Sequence, residues 1–181
     1  VIIQLLKLIA YQIGNEVSYR ELATQLATSQ QTIERYIDLL EKNFVIIRLG
    51  SFARNLRNEV TRSKKIYFVD LGIRNALIDV FGAIDPVGRG DVGGLFENCM
   101  IVERLKHLAH HGRSLSGTYF WRTFSQQEID YIEELEGNIS AYEFKWKAGK
   151  TRIVPRSFTA SYPNATFTSV SPQTAFTFIT R

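Results

Sequence analysis

Two short runs with the two-residue period of a β-strand, Gln127 to Ile132 and Ala141 to Trp146, constrain this chain most. Polar and apolar residues alternate in both, which puts successive side chains on opposite faces of a sheet. The segment between them, Glu133-Glu134-Leu135-Glu136-Gly137-Asn138, is acidic and ends in Gly-Asn, so it reads as the loop of a hairpin. Glu128 and Asp130 then share a face of the first strand, and Glu143 and Lys145 share a face of the second. Neighbouring strands thus present carboxylates and one ammonium to a common patch. An oxygen-rich patch suits a hard cation such as Mg²⁺, which binds a few carboxylates and keeps several waters. A lysine beside it can orient a water or stabilise charge on a phosphate. A salt bridge of Lys145 with Asp130 or Glu143 would account for the same pattern without chemistry.

Upstream, Asp91-Val92-Gly93-Gly94-Leu95-Phe96-Glu97-Asn98 opens a segment in which Leu95, Cys99, Val102, Leu105 and Ala109 recur at helical spacing. The spacing predicts an amphipathic helix to about His111, with Glu97 in its first turns, where the positive helix end favours a carboxylate. An acidic residue on one strand followed by Glu-x-Lys on the next resembles the PD-(D/E)XK nuclease superfamily. This chain has Ile129 where that motif has a proline before the aspartate. The resemblance implies an α/β (α+β) domain, a mixed sheet of restriction-endonuclease type with flanking helices, hydrolysing DNA phosphodiesters with Mg²⁺ or Mn²⁺. Glu97, Asp130 and Glu143 would hold the metal, with Glu128 as an extra acceptor, and Lys145 would be catalytic with Asp130 and Glu143. More narrowly, Gly-Leu-Phe-Glu-Asn from Gly94, then Tyr119-Phe120-Trp121-Arg122, Glu-Ile-Asp and Glu-Phe-Lys are similar to one prokaryotic module. It is a C-terminal module of unknown function in AAA+ ATPase-like proteins, usually placed behind a winged helix. That resemblance implies an upstream ATPase module as partner, and a regulatory or DNA-binding role as the alternative to catalysis.

The first third of the chain fits the winged helix-turn-helix. Residues 1–49 read as three helices and a strand. The first helix stops at Ile13-Gly14-Asn15. Ser18 is a candidate N-cap, with Glu21 completing a capping box. The helix from Gln30 to Asn43 has Ile33, Tyr36, Ile37 and Leu40 as its buried stripe, and Phe44 to Leu49 follows as a strand. In a DNA-reading version Gln30, Gln31, Thr32 and Arg35 would enter the major groove. The wing, Gly50 to Lys65, carries Arg54, Arg57, Arg62, Lys64 and Lys65 against Glu59 alone, a composition suited to phosphates. Glu34, Asp38 and Glu41 on the reading helix oppose this, because they repel phosphates. Ile66 to Val69 is the wing's return strand. Asp70 caps a short helix to Ile78, and Gly82 to Gly94 reads as the linker. The division expected is therefore a winged helix over residues 1–80 and a nuclease-like domain over 81–181.

Composition bounds these readings. The 181 residues carry a net charge of +4 at a pI of about 9.2, compatible with nucleic acid. A single cysteine, Cys99, excludes an internal disulfide scaffold and points to a reducing cytoplasm. The opening run Val1 to Ala10 is too short to span a bilayer and is interrupted by Gln4 and Lys7, so no membrane partner is expected. A chain that opens inside a helical pattern without methionine reads as part of a longer protein. Gly149-Lys150-Thr151 lacks the glycine five residues earlier, where Phe144 stands, so no nucleotide site is expected. His107, His110 and His111 read as solvated histidines at a helix end, and Trp121 and Trp146 as packing residues. Arg122 could reach a phosphate or neutralise Glu128 or Glu97. Pro155 starts a short helix to Tyr162, Ala165 to Val170 is a further strand, and residues 171–181 alternate as a last edge strand would.

Overall fold

Short polar side chains fix where several helices begin in the computed structural model, which describes residues 1–54, 64–84, 87–147 and 154–181. Ser18 accepts from Glu21 N ahead of α2 (Tyr19–Gln25), and Ser29 from Thr32 N ahead of α3 (Gln30–Lys42). Asp70 Oδ1 accepts from Gly72 N and Ile73 N ahead of α4 (Leu71–Leu77). Each cap satisfies N–H groups that have no partner inside the helix. With α1 (Ile2–Tyr11), β1 (Ile46–Ser51) and β2 (Lys64–Phe68), these make up the N-terminal part. Then follow α5 (Val92–His110), β3 (Thr118–Arg122), β4 (Glu128–Leu135), β5 (Asn138–Phe144), α6 (Arg156–Ser161), β6 (Thr166–Val170) and α7 (Ala175–Thr180). The chain is mixed α/β, and the six strands lie in the order β2-β1-β3-β4-β5-β6.

Two compact units divide the chain: Val1–Arg48 with Ser63–Val102, and Leu49–Arg62 with Glu103–Arg181. A division at residues 80 and 81 is one of sequence; spatially, the chain changes unit within β1 and within α5. The first unit is built on a core in which Leu5, Ile9, Leu22, Ile33, Ile37 and Ile46 are essentially inaccessible. The second is a sheet in which β3, β4 and β5 run antiparallel while β1 and β6 pair parallel at its sides. One of its cores gathers Trp121, Ile132, Ala141, Phe158 and Tyr162. The other packs Phe178 of α7 against Tyr131, Tyr142 and Phe144.

Several expectations need correcting. Glu133, Glu134 and Leu135 are not loop but strand, paired with Ser140, Ile139 and Asn138. The connection is the two residues Glu136 and Gly137, both with positive φ (51° and 82°), the signature of a tight hairpin turn whose twist matches the strands. β5 ends at Phe144, so Lys145 and Trp146 lie just beyond it. Gly93 and Gly94 are the opening of α5 rather than linker. A Cβ on Gly94 would come within 2.9 Å of the Ile13 carbonyl oxygen, so glycine there allows close packing. α5 is not a one-faced amphipathic helix: Phe96, Met100, Ile101 and Leu108 are buried besides Leu95, Val102 and Leu105, whereas Ala109 is exposed. The tail is helix α7, not an edge strand. A strand would put Phe176 and Phe178 on one face; the helix buries Phe178 at 5% exposure and leaves Phe176 78% exposed.

Candidate functional site

β4 breaks step at Asp130. From the Tyr119–Ile132 pair to the Trp121–Ile129 pair, β3 advances two residues (121 − 119) and β4 three (132 − 129). The extra residue is a bulge at Asp130 and Tyr131, a device that re-aims side chains. Asp130, 8% exposed, uses Oδ2 to accept from Phe144 N at 2.8 Å, so a side chain stands in for a strand partner. The recorded pairing of β4 with β5 stops at Tyr131 and Tyr142, one residue short of Asp130 and of Glu143. Glu143 is 1% exposed, and its Oε1 lies 2.7 Å from Lys145 Nζ, whose side chain is 38% exposed. Asp130 thus bonds the backbone of Phe144, the residue between Glu143 and Lys145, which pair with each other where β5 ends. Glu128 is placed at the start of β4 and pairs with Arg122 Nη1 at 3.3 Å. Trp121 is fully buried with its ring edge on Phe158, and is core.

Glu97 belongs to the other unit. Its Oε1 accepts from Lys65 Nζ at 3.0 Å and from Tyr67 Oη at 2.7 Å. Lys65, expected in the basic wing, is 1% exposed and so is buried. Asn98, the next residue of the motif, bonds the Phe68 backbone at both N and O, 2.8 Å each, and so fastens α5 to β2. The two-residue period already paired Lys65 with Tyr67 on one strand face; reading Tyr67 as inward would have brought Lys65 with it.

On α3, Gln30, Gln31 and Arg35 are exposed, while Thr32 is half-buried and bonds Ser29 Oγ. Arg48 answers two of the three opposing acids: Nη1 lies 2.7 Å from Asp38 Oδ1, and Nε donates to Glu41 Oε2 at 2.7 Å. The hydrogen bond it donates to Glu41 holds the Arg48 guanidinium above its ordinary pKa. Glu34 remains exposed. In the second unit, Arg54 is exposed, pairs with Glu134 and lies over the Phe52 ring. Lys64 is half-buried on β2. Arg57 and Arg62 lie outside the described residues, as do Lys150 and its neighbours. Among the described residues, no group of three or more His, Cys, Asp or Glu side chains is arranged to hold a metal ion. Nor is any helix among them long and apolar enough to cross a membrane.

Residues 1–83 match a family described as a domain of unknown function (DUF8612), and residues 92–176 match a second, also described as a domain of unknown function (DUF4143). Among curated proteins, the chain is similar to Uncharacterized protein Mb2031c of Mycobacterium bovis and Uncharacterized protein Rv2008c of Mycobacterium tuberculosis. Each is 29% identical over 150 residues, covering 83% of this chain and 32% of the relative. The chain therefore spans about a third of the length of the curated relatives it matches. No solved structure matches.

Proposed function

We propose that the second unit is a nuclease-like domain of the PD-(D/E)XK type that hydrolyses DNA phosphodiesters with Mg²⁺ or Mn²⁺, attached to a winged helix in an AAA+ ATPase-like protein. The observation that carries this reading is the bond from Phe144 N to Asp130 Oδ2, between Glu143 and Lys145, which pair with each other at the end of β5. The helix α5 before the sheet and the succession β5, α6, β6 support this reading, since the resemblance implies a helix ahead of the core sheet and a strand-helix-strand closure. The donor set fits the ion. Asp130 and Glu143 offer hard oxygens, and a carboxylate has about four lone-pair sites, so one N–H or one ammonium does not exhaust it. When bound, such an ion polarises a phosphoryl oxygen and acidifies a coordinated water. Phe144 N fixes the orientation of Asp130, and burial of Glu143 demands a compensating charge, which Lys145 supplies. From its half-open position Lys145 can move from Glu143 to a phosphate. Glu97, the third carboxylate the resemblance implies, is held by Lys65 and Tyr67 in its own unit, and the proposal does not use it.

The deciding experiment incubates single-stranded, duplex and branched DNA with the wild type, Asp130→Asn and Lys145→Ala, in Mg²⁺, Mn²⁺ or EDTA. Mn²⁺ affinity is measured alongside. We expect metal-dependent cutting that falls by about 10²–10³-fold in Lys145→Ala. Mn²⁺ should bind Lys145→Ala no more weakly, because Glu143 no longer shares an oxygen with an ammonium. No cutting of any substrate, or cutting that Lys145→Ala retains, would sink the catalytic reading.

A second reading, DNA binding through the winged helix, gains from Arg48, which removes the repulsion of Asp38 and Glu41 from α3. Arg35→Ala is then expected to weaken duplex binding and to lower the slope of log affinity against log salt by about one. An unchanged affinity and slope would remove α3 from the interface.

A further inference from the structure

The structure of the last turn of α5 goes beyond the reading of its histidines as merely solvated. His107 and His111 stand four residues apart, hence on one helix face. Their ring centroids are 4.1 Å apart, with 34° between the planes. His111 Nδ1 lies 2.8 Å from the His107 carbonyl oxygen. A carbonyl only accepts, so Nδ1 carries the proton and, in the neutral ring, Nε2 keeps a lone pair for a ligand. A histidine that ligates a metal commonly donates its other N–H to a backbone carbonyl in this way. The pair also sits at the negative end of the helix dipole, where a cation is favoured.

We propose that His107 and His111 form a two-imidazole site for a late first-row divalent ion, Cu²⁺, Ni²⁺ or Zn²⁺, with water in the remaining positions. Two imidazole nitrogens on one such ion, each about 2.0–2.1 Å from it, stand about 3.0–3.5 Å apart. Rings already stacked on an exposed helix end reach that separation by side-chain rotation alone. The ligand type sets the selectivity. Imidazole takes Cu²⁺ most tightly among these ions, whereas Mg²⁺ prefers oxygen. The site is therefore independent of Asp130 and Glu143, which suit hard cations, and does not rest on the nuclease reading. His110 meets the His111 ring edge-on at 5.4 Å and is not one of the pair.

The test is calorimetric titration of the untagged chain with Ni²⁺ and Zn²⁺, and with Mg²⁺ as control. Wild type is compared with His107→Ala, His110→Ala and His111→Ala, all checked for unchanged circular dichroism. Two ligands acting as a chelate bind about 10²-fold more tightly than one, so His107→Ala and His111→Ala should each lose about 100-fold in affinity. His110→Ala should stay within about threefold of wild type. Absence of Ni²⁺ and Zn²⁺ binding by the wild type, or wild-type affinity in either His107→Ala or His111→Ala, would overturn the site.

Discussion

Arg74→Met should destabilise the first unit by about 3–5 kcal/mol, the range for removing one partner of a buried charged network. The Arg74 side chain is only 2% exposed. Its Nε donates to the Ala10 carbonyl at 2.9 Å, and Nη1 donates to Asn75 Oδ1 at 3.1 Å and to Asp91. Methionine fills comparable volume but offers no donor, so the Ala10 oxygen is left without a bond and Asp91 keeps only Arg89. Chemical denaturation measures the loss, and wild-type stability in the variant would refute the account. The acid limb gives a second readout. Burial pushes the Asp91 carboxyl up, but hydrogen bonds from Arg89 and Arg74 outweigh it and hold it below the ordinary range. A carboxyl lowered in the folded state adds stability above its unfolded value, and that stability is lost as pH falls through the folded value. Without Arg74 the lowering shrinks, so Arg74→Met should lose less of its remaining stability on acidification than the wild type does.

This network also shows what the sequence could and could not disclose. Asp91 was legible as the residue opening the segment that becomes α5, and Arg74 only as part of a short capped helix. Nothing local said that a guanidinium 17 positions earlier in the chain would be buried against it. Caps were readable where their chemistry is local: Ser18 and Asp70 bond backbone within three residues, as does Ser29, which in sequence reads as part of a turn. The alternating strands were readable for the same reason, since period two needs no partner. Ends and partners were not. The reach of β4 through Leu135 depends on pairing with Asn138 across a two-residue turn, and the acidity of Glu133 and Glu134 masked it. At the candidate site, Glu143 and Lys145 were legible as a pair two residues apart, yet the bulge at Asp130, whose side chain accepts from Phe144 N, appears only when β3 and β4 are counted against each other. Glu97 illustrates the converse: its helix position was legible, but Lys65 and Tyr67 sit 32 and 30 residues away.

The pair Arg104–Glu133 decides most sharply between the two readings of that acidic stretch. Were Glu133 a solvated loop residue, Glu133→Leu would change stability by no more than about 0.5 kcal/mol. In β4 it faces Arg104 instead: Nε donates to Oε1 at 2.6 Å and Nη2 to Oε2 at 2.9 Å, a bidentate fork. The Arg104 side chain is 3% exposed, its Nη1 donates to the Ile179 carbonyl at 3.2 Å, and its guanidinium lies over the Phe178 ring. The bond to Glu133 raises the Arg104 pKa, so the guanidinium stays charged throughout the accessible range. Removing Arg104 strands a carboxylate against Tyr131 and loosens α7 at the same time. Arg104→Leu is therefore expected to cost about 3–5 kcal/mol, and Glu133→Leu a similar amount by leaving the buried guanidinium uncompensated. The double variant should recover much of the loss, because two apolar side chains of comparable volume satisfy each other where either alone leaves a buried charge. Urea denaturation of the four proteins gives the coupling energy directly, and strictly additive losses would mean that the fork contributes nothing to holding α5, β4 and α7 together.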